Sequence, residues 1–298
     1  MTEEILQIQH GSTVARILPE RGFNCYSLAV DGFDYMHQAP DLFPDGSPTR
    51  SGSPILFPWP NRIAGARFSW DGVEYQLPIT EPATGSSLHG YACHSPWQVL
   101  STGPDHATAQ FLLTDQHPWP AGGGLRVTYR VEPRGLVVTT EVFALDQDLP
   151  FGLGFHPYLR VPGPFDQWHL QCDADSAWPL STMIPTGDVT PVPSRLDFRT
   201  ARTLGEEHLD DVLTGLPPAT TLTRRASLMT NAALLTVSSD PAFREYVMFT
   251  PTSRDAVAIE PYTCTTDAVH LEQRGIDAGW LVLPAGKTRT FTWRLDIS

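Results

Sequence analysis

The sequence predicts an all-β chain, and three observations carry that reading. Proline (28) and glycine (23) are scattered through the 298 residues rather than massed in a linker. Short runs of alternating apolar and polar residues lie between them. No long amphipathic helix is visible; Thr200 to Leu209 has room for one or two turns at most. Regular turn signals around short alternating runs point to an antiparallel sandwich or barrel and away from βαβ units. No repeat, low-complexity segment or composition break interrupts the pattern, so residues 1–298 read as one domain, a length that all-β domains reach.

The elements follow in chain order. Ala66–Trp70 and Val73–Leu77 flank Asp71-Gly72, a favoured two-residue hairpin turn because both positions take φ > 0. That turn sets Trp70 opposite Val73 and Phe68 opposite Tyr75, with Arg67, Ser69, Glu74 and Gln76 on the wet face. Leu125, Val127, Tyr129 and Val131 alternate with Arg126, Thr128 and Arg130; after Pro133-Arg134-Gly135, Leu136 to Leu145 read as a mostly apolar partner strand.

Phe151 to His156 has two unlike faces, since strand side chains alternate with period two. Phe151, Leu153 and Phe155 share one face; Gly152, Gly154 and His156 share the other. Glycine inside a strand often marks close approach by a ligand or another backbone, and Pro157 ends regular pairing. Ala256–Pro261 repeats the design, with Val257 and Ile259 opposed to Ala256, Ala258 and Glu260, and Pro261 as its stop. Both small-residue faces are expected to border one concave site, with the space over Gly154 and Ala258 left for substrate. The C-terminus reads as a hairpin: Trp280–Leu283, a turn at Pro284–Lys287, then Phe291, Trp293, Leu295 and Ile297 alternating with polar residues.

Charge and cysteine content exclude several functions. Net charge is −13, and no cluster of Lys or Arg stands out, so neither nucleic acid nor an anionic membrane finds a basic footprint. Cys25, Cys93, Cys172 and Cys264 form no CxxC pair, which gives no zinc signature. Met1-Thr2-Glu3-Glu4 lacks the opening of a signal peptide, and no apolar run approaches the roughly 20 residues that span a bilayer. A cytoplasmic protein with free thiols is the expectation.

Four places carry chemistry. His156 and Glu260 supply one group able to give a proton and one able to take it; a buried salt bridge is the structural alternative. Pro58-Trp59-Pro60-Asn61-Arg62-Ile63 stiffens the backbone and presents the amide of Asn61 and the guanidinium of Arg62, donors suited to sugar hydroxyls. Leu88-His89-Gly90 places His89 at the end of a polar loop. His94 lies five residues on, but no neighbouring carboxylate completes a facial triad, so no metal is expected. In Leu209-Asp210-Asp211-Val212, adjacent aspartates point in different directions on extended chain, so at most one faces a site. Glu141 is a further carboxylate candidate. No phosphate loop, nucleophile elbow or dinucleotide fingerprint occurs.

Taken in order, Asn61-Arg62-Ile63, Leu88-His89-Gly90, Phe155-His156-Pro157-Tyr158, Asp210 and Ile259-Glu260-Pro261 resemble the aldose 1-epimerase (galactose mutarotase) family. The likeness runs from about Gly32 to the C-terminus, and Pro58-Trp59-Pro60 with the short length is similar to a bacterial aldose epimerase-like branch. The resemblance implies the large antiparallel galactose mutarotase-like β-sandwich. It assigns Glu260 as general base and His156 as general acid, with His89, Arg62 and Asp210 at the remaining sugar-binding and catalytic positions and Asn61 beside them. It implies a small sugar as partner and no cofactor. Oligomeric state is not legible.

Three alternatives stay open. A hexose-6-phosphate 1-epimerase shares the Pro157-Tyr158 form after the acid but needs a cationic phosphate pocket, and no further arginine cluster stands beside Asn61-Arg62. A non-catalytic carbohydrate-binding protein leaves His156 and Glu260 without a task. A glycoside hydrolase needs two carboxylates roughly 5–9.5 Å apart, which Glu260 with Asp210 or Glu141 would supply, but it leaves the histidines unexplained.

Overall fold

The structure, a computed structural model, describes residues 4–43 and 46–298. Among these residues two large antiparallel sheets lie across one core. The first has nine strands, in the order Gln98–Thr102, His106–Leu113, Gly123–Glu132, Gly135–Ala144, Thr288–Ile297, Leu234–Ser239, Thr223–Met229, His169–Cys172 and Arg202–Thr203. The second runs Thr190–Pro191, Ser176–Trp178, Asp210–Thr214, Glu245–Phe249, Val257–Tyr262, Gly154–Phe155 and Ile55–Leu56, with Tyr158–Leu159 also pairing to Val257–Tyr262. Leu6–Asp34 adds a four-stranded sheet that the turn signals did not single out.

The alternation read in the sequence decides which faces meet. Leu125, Val127, Tyr129 and Val131 are buried, and stand opposite Val142, Thr140, Val138 and Leu136. Trp293 of the nine-stranded sheet meets Phe155 of the other at 5.3 Å between ring centroids, and Phe151 meets Phe291 at 6.1 Å. All four rings are fully buried. Each such side chain stabilises the fold by about 1.5–3 kcal/mol. Val257 and Ile259 join this core, so Ala258, Glu260 and Tyr262 point out of the opposite face of their sheet. The candidate chemistry therefore sits on the outer face of the eight-stranded sheet, under the loops.

The Asp71-Gly72 hairpin forms in the expected register, with Phe68 and Tyr75 stacked at 5.4 Å. Three expectations fail. Arg202–Thr203 pairs as a strand with His169 and Leu170, and Leu204 gives its N–H to Trp168, so Thr200–Leu209 holds no helix. The α-helix among the described residues is Ala268–Gln273. The C-terminal segments do not pair with each other. Leu281–Leu283 joins Leu149–Phe151, while Thr288–Ile297 inserts between Gly135–Ala144 and Leu234–Ser239; three residues cannot satisfy a ten-residue strand whose ladder needs partners on both sides. Pro261 does not stop its strand, which continues to Tyr262. It stands opposite Tyr246, and the ladder runs on through it.

Candidate active site

Glu260 is placed by the most continuous part of the eight-stranded sheet. Val257–Tyr262 pairs along Glu245–Phe249, with Val247 opposite Glu260. On its other side it pairs at Tyr262 with Gly154 and at Ala258 with Tyr158. The register set by those two pairs puts His156 opposite Glu260. Between them Ile259 donates its N–H to the Pro157 carbonyl, while His156 donates its own N–H to Pro54 on the segment's other side. His156 Nε2 lies 3.3 Å from Glu260 Oε1, and both residues are buried. His156 Nδ1 has no protein partner. The ring is held by stacking on Tyr158, at 4.5 Å and 22°, with His89 edge-on at 5.6 Å and Phe249 at 6.0 Å.

Asn61 and His89 lock each other. Asn61 donates its backbone N–H to His89 Nδ1 at 3.2 Å, and His89 donates its own backbone N–H to the Asn61 carbonyl at 2.8 Å. Both residues sit at positive φ, +55° and +66°, a conformation unusual for non-glycine residues. An accepting Nδ1 assigns the proton of a neutral ring to Nε2, leaving His89 as a hydrogen-bond donor. Burial drives its pKa well below the usual imidazole value, and nearby His156, Arg62 and His94 push the same way. Arg62 is clamped by Glu81 through two bonds of 2.7 Å and also donates to Asn61 Oδ1 at 3.0 Å.

Burial opposes a net charge on the central pair. It lifts the Glu260 carboxyl well above its usual range; Tyr262 and Arg62 oppose the rise, and Asp210 adds to it. It pulls His156 down to about 3. Tyr262 donates its phenol to Glu260 Oε2 at 2.5 Å. Asp210 shares the outward face of its strand with Val212 and keeps solvent access, yet enough protein surrounds it to raise its pKa; Arg62 opposes, while Asp211 and Glu81 reinforce. Asp211 faces away and pairs with Arg195.

One cavity of about 200 Å³ is lined by Asn61, Arg62, His89, His156, Asp210 and Glu260 together. These six residues were singled out from the sequence across 200 positions of chain. Thr49, Arg50, Leu88, Tyr158, Phe249 and Tyr262 complete the walls. A neighbouring cavity of about 450 Å³ shares Thr49, Leu88 and His89 and contains His94, but no carboxylate. The larger space thus lacks the acid–base pair that His156 and Glu260 supply in the smaller one. No group of three His, Cys, Asp or Glu side chains gathers as a metal set among the described residues.

Two expectations are corrected here. The space over the strand glycines is filled by protein. A Cβ at Gly154 would lie 2.5 Å from Tyr262 Cδ1 and 2.7 Å from Pro60 Cβ; one at Gly152 would lie 2.5 Å from Cys264 Sγ. Ala258 is likewise fully buried, in a cluster with Tyr158 and Ala256. Glu141 is remote: it sits on the nine-stranded sheet, paired with Arg126. Residues missed in the sequence include Arg50, Glu81, Tyr158 and Tyr262. The two tyrosines had a signal, since each lies two positions beyond His156 or Glu260 on the same strand face. Glu81 lies in an irregular loop and had none.

Comparison with known proteins bears on family and fold. The family model for aldose 1-epimerase matches residues 4–296. YihR of Escherichia coli K12 is 26% identical over 249 residues, 82% of this chain and 78% of that protein. Human galactose mutarotase is 31% identical over 163 residues, 51% of this chain and 46% of that protein. Among solved structures, a galactose mutarotase-like protein from Clostridium acetobutylicum superposes with a TM-score of 0.86 at 20% identity, covering 100% of this chain and 98% of that one. An aldose epimerase homologue from C. elegans gives 0.85 at 18%, covering 100% and 99%. The fold is therefore galactose mutarotase-like, and the chain belongs to the aldose 1-epimerase family.

Proposed function

We propose that this chain is an aldose 1-epimerase that interconverts the α and β anomers of a free aldohexose. The observation that supports this best is the buried Glu260–His156 contact of 3.3 Å at the base of a polar cavity. The two oxygens that exchange protons in mutarotation, O1 and the ring oxygen, are bonded to the same carbon. A base and an acid serving them must stand side by side. Together the pair needs one proton, and burial favours that total: a second proton or none would leave a net charge away from water.

Burial favours that proton on Glu260, and the reactive arrangement carries it on His156: Glu260, then ionised, takes the proton of the O1 hydroxyl, and His156 gives its own to the ring oxygen. The C1–O5 bond breaks to give the aldehyde. Rotation about C1–C2 presents the other carbonyl face, and reclosure returns both protons. His89, a neutral donor, and Arg62, aimed by Glu81, bind sugar oxygens with Asn61, and Asp210 accepts from hydroxyls. Proton transfer alone completes the cycle, so no cofactor is required.

A phosphorylated sugar is the second reading. Arg50, paired with Asp41, lines the same cavity and adds a cation the sequence did not place there. Polarimetry of freshly dissolved α-glucose and α-galactose beside their 6-phosphates decides. Faster equilibration of the free sugars supports the first reading, a clear preference for the phosphates supports the second, and no acceleration of any defeats both.

A further inference from the structure

Tyr262 stands next to the acid–base pair, and the chemistry above gives it no task. It is fully buried, and its hydroxyl bonds Glu260 Oε2 while Oε1 faces His156. The two oxygens of one carboxylate thus have different partners. The tyrosine itself is pinned between strands, opposite Glu245 on one side and Gly154 on the other. Gly154 is not among the positive-φ residues, so its backbone conformation does not call for glycine. What calls for it is the ring of Tyr262, whose Cδ1 lies 2.5 Å from where a Cβ would be.

We propose that Tyr262 is a positioning residue for the base: it occupies Glu260 Oε2 so that Oε1 alone exchanges a proton, and Gly154 is glycine to admit its ring. This inference rests on the mutarotase reading of the same site. A phenol donating to a carboxylate is a charge-assisted bond, stronger than a neutral one. It stabilises the ionised form that the base must adopt, against the burial that disfavours it. It also stops the carboxylate from rotating to offer its other oxygen.

Tyr262→Phe tests this, because it removes the hydroxyl and keeps the ring that packs on Gly154. Two readouts are needed. Progress curves give kcat and KM, and infrared difference titration follows the Glu260 carboxyl, with Glu260→Gln as the blank. The expected result is a kcat lowered roughly tenfold, a KM within about twofold, and a Glu260 titration moved to higher pH by about one pH unit, the equivalent of a tenfold change. An unmoved titration overturns the inference whatever the activity does, as does an unchanged kcat in an active enzyme. A moved titration in a protein that equilibrates none of the sugars leaves the Tyr262–Glu260 link standing and defeats the mutarotase reading instead.

Discussion

Val257–Tyr262 runs unbroken beside Glu245–Phe249, with every residue from Ala258 to Tyr262 in register. The chain from Gly154 to Leu159 pairs with the same strand at Gly154, Tyr158 and Leu159, and across His156 and Pro157 one bond, from Ile259 to the Pro157 carbonyl, links the two. The two segments look alike in sequence, each lifting a titratable group beside small residues and a proline. Their difference shows that the proposed base and the proposed acid are held in different ways. Glu260 is aimed by a rigid backbone and a hydrogen bond from Tyr262. His156 is aimed by packing, because Tyr158 covers its face and Nδ1 has no partner.

The largest effect should come from the groups themselves. Glu260→Gln and His156→Asn should each keep the fold and lose ~10²–10⁴-fold in activity, the usual contribution of an acid or base in position. That equals roughly 3–5 kcal/mol of barrier. A variant that mutarotates at the parent rate would strike its residue from the mechanism.

Next comes the packing between the two segments. Gly154→Val should destabilise by roughly 1–3 kcal/mol, the usual cost of added bulk in a filled space, because Tyr262 and Pro60 already occupy it. Ala258→Leu should do the same against Tyr158. Thermal unfolding beside activity measures both. A Gly154→Val protein as stable as its parent but unable to bind sugar would restore the open cradle expected from the alternation.

The pH profile sharpens the comparison further. Burial lifts Glu260 and lowers His156 to about 3, so the proton shared by the pair is lost only at high pH and a second enters only at low pH. The profile of kcat/KM should be flat across roughly pH 5–8, where an unperturbed histidine would titrate. A limb near neutrality would show that His156 titrates alone and that the pair is not coupled.

The smallest effect belongs to the other sheet. Arg126 and Glu141 meet at 2.7 Å, but both side chains are partly exposed to solvent. Such pairs contribute about 0.2–1 kcal/mol, so Glu141→Gln should leave stability and activity nearly unchanged. A marked loss of activity would reopen Glu141 as a catalytic carboxylate.

Much of this was legible in the chain. Alternation at 125–131 and 291–297 assigned the core faces, because a strand facing core on one side and solvent on the other has a period that sequence shows directly. The same period separated Asp210 from Asp211 in principle, and the ordered motifs named the six residues that share the cavity. What alternation could not show was what lies above a face. Gly152 and Gly154 looked open because neither has a side chain, yet Cys264, Pro60 and Tyr262 fill that space from distant parts of the chain.

Sequence by itself determined the fold class and the inward faces and singled out the candidate acid–base groups, since those depend on residue type and local period. Only the tertiary structure decided who meets whom. It sent Leu281–Leu283 to Leu149–Phe151 rather than to Thr288–Ile297, brought Glu81 onto Arg62, and set Tyr262 between Gly154 and Glu260. Apart from the step from Tyr262 to Glu260 within one strand, those contacts join separate segments of the chain. They form because buried polar groups need partners and buried volumes must be filled, and neither demand is written in the spacing of any one segment.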